Sequence, residues 1–122
     1  MNDFDASRGL ALFNSGHFFE AHEALEDLWR EAPADRPVRR HLQGLVQLAV
    51  AFHHQSTGNR IGARSVLGRA LRNIEGAEQS FPEIDWDRLR GNLDQWREYL
   101  AADCEKDANT HLPPLPKILV RD

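Results

Sequence analysis

Apolar residues recur at three- and four-residue steps in five separate stretches, the spacing that lines one face of an α-helix. The first predicted helix ends at about Phe13, with Asp3 and Asp5 as caps, Leu10 and Phe13 facing inward and Asn14-Ser15-Gly16 as its stop. The second runs from about His17 to Ala32 and turns Phe18, Ala21, Leu25, Leu28 and Trp29 inward. Pro33 and Asp35 mark a short connection, and Pro37 suits the first turn of a third helix reading Val38 to about Gln55. Its broad apolar face carries Leu42, Leu45, Val46, Leu48, Ala49 and Phe52 and takes in His53, while His54 falls on a polar strip with Gln43 and Gln47. Ser56-Thr57-Gly58-Asn59 closes that helix, and a fourth follows with Ile61, Ala63, Val66, Leu67, Ala70, Leu71 and Ile74. Gly62 and Gly68 lower its helix propensity, so each serves either a close crossing or local softness. Pro82 breaks the chain, Asp85 caps a fifth helix, and Trp86, Leu89, Leu93, Trp96 and Leu100 form its inward stripe.

Past Cys104 the periodicity fails. His111-Leu112-Pro113-Pro114-Leu115-Pro116 reads as an extended or polyproline-like segment, and Lys117-Ile118-Leu119-Val120 adds apolar material that docks on the bundle, binds a partner or stays unordered. The expected organisation is one helical domain over residues 1–104 and a proline-containing tail over 105–122.

Placing Gly16 on Gly58, an offset of 42 residues, pairs Phe19 with Ile61, Ala21 with Ala63, Ala24 with Val66, Leu25 with Leu67 and Trp29 with Leu71. The fold class that follows is all-α: a five-helix bundle of antiparallel hairpins, resembling two tetratricopeptide-like units plus a capping helix. The alignment also isolates what is particular to the first unit, since His22 falls on Arg64 and Glu26 on Gly68.

Composition changes this picture little. A chain of 122 residues with 41% hydrophobic and 28% charged positions forms one ordinary globular core. Fifteen basic against 19 acidic residues give a net charge of −4, which supplies no global attraction to nucleic acid or anionic membranes. With one cysteine, no apolar leader and no apolar run long enough for a bilayer, cytoplasmic residence is expected.

The ionisable residues of the second helix carry the candidate chemistry. His22 and Glu26 lie one turn apart at the edge of the apolar arc, whereas Glu20, Glu23, Asp27 and Glu31 point farther toward water. If the second and third helices pack antiparallel, His53 approaches His22. A group of His22, Glu26 and His53 offers two imidazoles and a carboxylate to a divalent transition metal such as zinc, manganese or iron, with Glu23 or His54 as proton relay. The competing reading is structural: His22 bonds to Glu26 with its ring against Trp29, and His53 satisfies a backbone carbonyl. His17, His41 and His111 are weaker candidates, and Arg36, Arg39 and Arg40 read as a solvated face. There is no glycine-rich phosphate loop, nucleophile elbow or Cys-x-x-Cys ribbon.

Phe13-Asn14-Ser15-Gly16-His17-Phe18-Phe19-Glu20-Ala21-His22-Glu23-Ala24-Leu25-Glu26-Asp27-Leu28-Trp29, followed by Gly44 through His54 and by Gly58-Asn59, resembles the DUF309 family of small bacterial and archaeal helical proteins. The resemblance spans roughly Leu10 to Ile74 and implies a compact helical bundle with His22, Glu23, Glu26 and Trp29 as signature positions, without assigning them a reaction. Two functions are expected from the sequence: a small helical interaction or ligand-binding module, meeting a protein partner or a second copy through its helical faces or tail, or a metal-dependent hydrolase using the histidine and carboxylate group.

Overall fold

A computed structural model describes residues 5–102 and 112–121. Asp3, Cys104 and His111 lie outside the described residues. Among the described residues five α-helices follow one another: α1 (Ser7–Asn14), α2 (Phe18–Glu31), α3 (Pro37–Ser56), α4 (Arg60–Asn73) and α5 (Trp86–Ala101), with a short 3-10 turn at Ala77–Gln79 before α5. Neighbouring helices pack into an all-helical bundle. Among the described residues the departure from helical pairing is an isolated antiparallel bridge, Ile84 with Val120.

The two tight turns repeat one another bond for bond. Gly16 and Gly58 both have φ +83, a backbone that glycine adopts without steric cost. In the first turn the Gly16 amide donates to the Phe13 carbonyl and the His17 amide to the Leu12 carbonyl; in the second, Gly58 donates to Gln55 and Asn59 to His54. This is the paired C-terminal closure that satisfies helix carbonyls otherwise left orphaned. Even the hydroxyls correspond, Ser15 donating to the Ala11 carbonyl and Thr57 to that of His53. The helices after the turns start differently: Asn59 accepts from the Gly62 amide at 2.9 Å, whereas His17 provides no side-chain cap.

Ala21, Leu25, Ala63 and Leu67 are fully enclosed at equivalent positions. The equivalent pair Phe19 and Ile61 instead faces outward, 48% and 85% exposed. Close crossings fall on glycines other than Gly62 and Gly68. A Cβ at Gly44 would stand 2.6 Å from Ile74 Cγ2 and 3.1 Å from the Asn73 backbone, and one at Gly9 would stand 2.6 Å from Leu25. Gly68 faces nearly open space and Gly62 only its own capping asparagine, because neither points at a neighbouring helix. Phe13, Phe18, Phe52 and Trp96 tie four helices together, with ring centroids 5.2 Å apart for Phe13–Phe18 and for Phe52–Trp96. Each such aromatic pair adds about 1 kcal/mol beyond its buried area.

Arginines close the helix ends. Arg39 donates to the Ala32 carbonyl after α2, Arg40 to the Arg72, Asn73 and Glu75 carbonyls after α4, Arg90 to the Ile74 carbonyl, and Arg60 to Tyr99 and Ala102 at the end of α5. A cation at a helix C-terminus meets both the orphaned carbonyls and the negative end of the helix dipole. Arg39 and Arg40 therefore fasten helices, where the sequence pattern reads them as a solvated face.

Residues 112–121 lie along α5. Trp96 Nε1 donates to the Pro114 carbonyl at 2.8 Å, Ile118 is buried, and the Asp85 amide donates to the Leu119 carbonyl. Asn14 grips Ile118 from both sides, accepting from its amide at 2.7 Å and donating to its carbonyl at 3.0 Å.

Candidate functional site

The antiparallel run of α2 along α3 brings the start of α2 to the end of α3. Phe19 contacts two imidazoles there, its ring centroid 5.9 Å from that of His22 and 5.4 Å from that of His53. His54 lies beside His53 and is also bound to the Asn59 side chain at the cap of α4. The result is an outward aromatic platform rimmed by imidazoles, with the exposed carboxylates Glu20 and Glu23 next to it.

His22 and Glu26 form a pair 3.0 Å long, with side chains 26% and 28% exposed. Glu26 is committed on both oxygens, since Oε2 meets His22 Nε2 and Oε1 accepts from Arg30 at 3.2 Å. This arrangement places the His22 proton on Nε2, the nitrogen nearest the carboxylate. Among the described residues no three His, Cys, Asp or Glu side chains are grouped so as to hold a metal ion, the set His22, Glu26 and His53 included. Phe19 contacts both imidazole rings. Of the structural alternative, the bond between His22 and Glu26 is present, while the ring contacts differ from those expected. The His22 ring meets Phe19 rather than Trp29, and the His53 ring makes ring contacts with Phe19 and His54. Glu23 is exposed.

Trp29 has a different role. Its half-buried ring carries the Arg39 guanidinium 4.4 Å from the centroid, while its enclosed indole N–H meets no acceptor among the described residues. The cation over the ring face compensates part of the penalty of about 1–3 kcal/mol for an unmade buried hydrogen bond.

His41, a weak candidate by sequence, is fully enclosed. Its Nδ1 lies 2.6 Å from Ser80 Oγ and its Nε2 lies 3.3 Å from an Arg40 nitrogen. Because guanidinium only donates, Nε2 accepts there and Nδ1 carries the proton toward Ser80. Ser80 therefore receives a proton bond instead of losing its proton to a base, so the pair is not an activated nucleophile. Burial holds the His41 pKa below its ordinary value, reinforced by the Arg40 charge. The signal in the sequence was the stripe His41, Leu45, Leu48 and Phe52, at helical steps on the buried face of α3. Phe19 was missed as a surface residue because its repeat partner Ile61 made both look like skeleton positions.

A model for the family described as a domain of unknown function, DUF309, matches residues 6–66, from α1 into the first half of α4. An uncharacterised protein of Bacillus subtilis (strain 168), YpuF, is 32% identical over 73 residues, covering 60% of this chain and 41% of its own length. An uncharacterised protein of Aquifex aeolicus (strain VF5) is 28% identical over 83 residues, covering 68% of this chain and 25% of its own length. The chain thus spans well under half the length of either relative. No helix among the described residues is long and apolar enough to cross a membrane. The matched segment holds the first turn, the His22–Glu26 pair, the Phe19 platform and the second turn, and on that match the chain belongs to the DUF309 family.

Proposed function

We propose that this DUF309 chain is a helical protein-interaction module whose contact surface is centred on Phe19. The observation that carries the reading is Phe19 itself: a phenylalanine 48% exposed whose ring contacts those of both His22 and His53. Aromatic side chains fixed in place at the surface supply contact area with little entropy left to lose, which is how interface anchors work. Glu20 and Glu23 give the rim a negative sign, so the favoured partner segment presents an apolar side chain flanked by Lys or Arg. The matched region makes up only part of each longer relative, which supports a module used beside other segments.

Selection of binding peptides from a displayed random library tests the reading. Enriched peptides are expected to carry an apolar anchor with basic neighbours and to lose at least about tenfold in affinity on Phe19→Ala, the ~1.4 kcal/mol that one anchor readily supplies. Peptides that bind Phe19→Ala as well as the parent chain, or a library yielding none, overturn it.

A further inference from the structure

The two helices that follow the duplicated turns carry opposite charge. α2 holds five carboxylates and one arginine, net −4, whereas α4 holds four arginines and no carboxylate, net +4. Part of this charge meets no opposite charge among the described residues. Arg64, Arg69 and Arg72 are exposed on α4, as are Glu20, Glu23 and Glu31 on α2, and none of the six side chains forms an ion pair among the described residues. Exposed helices ordinarily intersperse the two signs at i,i+4 spacing. Here they are segregated onto equivalent helices, and each of those helices also presents an exposed apolar residue in its first turn, Phe19 and Ile61.

Both helices run antiparallel to α3. The start of α2 meets the end of α3 through Phe19 and His53, while its end meets Arg39; α4 starts beside His54 and ends beside Arg40, with Asn73 bonded to Gln47. They are therefore parallel to each other, with Phe19 and Ile61 at the same end of the bundle.

We infer that the partner on the Phe19 face is a second copy of this chain, α2 of each copy lying along α4 of the other; the inference rests on the interaction-module reading above. Electrostatics selects the symmetry. A two-fold axis running along the helices sets the acidic α2 against the basic α4 twice and brings Phe19 toward Ile61 of the second copy, whereas an axis across the helices sets like against like. A stable pairing needs about 800 Å² from each copy, roughly a ninth of the 7319 Å² that the chain exposes.

Sedimentation velocity on the tag-free full chain provides the test, with circular dichroism to confirm that each variant is folded. The parent chain is expected to reach twice the monomer mass in low salt, and its dissociation constant to rise at least about tenfold from roughly 20 to roughly 500 mM NaCl as screening tightens. The variants Glu20→Lys/Glu23→Lys and Arg64→Glu/Arg69→Glu each place like charges across both contacts and are expected to be monomers alone. Mixed one to one they restore opposite charges at both contacts and are expected to form the mixed dimer. A parent chain that stays monomeric, a mass that grows without limit, or a mixture that stays monomeric overturns the pairing. So does a monomer that binds duplex RNA through Arg64 and Arg69. If the chain is monomeric while displayed peptides still bind through Phe19, the self-pairing fails and the module reading stands.

Discussion

His41 is an imidazole shut away from water at the junction of α3 with the segment that leads into α5, between Ser80 and the guanidinium of Arg40. Burial first, and the Arg40 charge second, keep it neutral by lowering its pKa from the ordinary 6.5, against weaker opposing pulls from the Glu75 backbone and the Glu78 carboxylate. As pH falls through 6.5 the unfolded chain takes up the proton before the folded one, so stability is complete above that value and is lost toward the lower folded pKa. Urea unfolding at about pH 7.5 and about pH 5.5 should show the loss, and His41→Gln should remove most of this slope while lowering stability at the higher pH. The Glu78–Arg90 pair acts in a separate window: Arg90 holds the Glu78 carboxyl down to about 2 from 4.5, so its contribution is present above 4.5 and fades only toward 2. At this scale the sequence was uneven. The position of His22 one turn from Glu26 followed from helical angles, but the ring lying on His22 and the cation lying on Trp29 come from side chains whose direction a one-dimensional pattern does not encode.

The duplicated helix–turn pairs were legible because their requirements are local. A turn with φ +83 at Gly16 and Gly58 calls for glycine, and the enclosed alanines Ala21 and Ala63 recur at fixed distance behind it. Which other glycines lie at crossings was not legible, because that depends on the helix opposite. Gly44→Ala and Gly68→Ala separate the cases. At Gly44 the added methyl meets Ile74 at 2.6 Å and the Asn73 backbone at 3.1 Å, so a destabilisation of about 1–3 kcal/mol is expected from overpacking. At Gly68 the nearest atom is the flexible Arg72 tip at 3.9 Å, so alanine should stabilise by up to about 1 kcal/mol through helix propensity alone. Thermal unfolding of the two variants reads both signs. Arginines at the ends of α2, α4 and α5 were invisible for the same reason as the crossings: the carbonyls that Arg40 and Arg60 reach lie more than 30 residues away in the chain.

Across the whole molecule, charge and connectivity set the behaviour. The net −4 of the chain conceals an acidic α2 and a basic α4, so total charge was a poor guide to what the surface attracts. Docking of the C-terminal segment on the bundle was the favoured of three placements read from its prolines and apolar residues, but its contact with Asn14, at the other end of the chain, was not legible. That grip joins residues 104 positions apart, while the helix pairs close over short stretches. A contact of such long sequence separation is expected to form after the local helix pairs. Refolding followed by tryptophan fluorescence should show a fast phase that builds α1 to α5 and a slower one in which Trp96 acquires the Pro114 carbonyl. Asn14→Ala should diminish or slow the second phase and spare the first, whereas a single phase that Asn14→Ala leaves unchanged would place tail docking within the main folding event. On the former outcome the last residue of α1 would also set when the chain finishes folding.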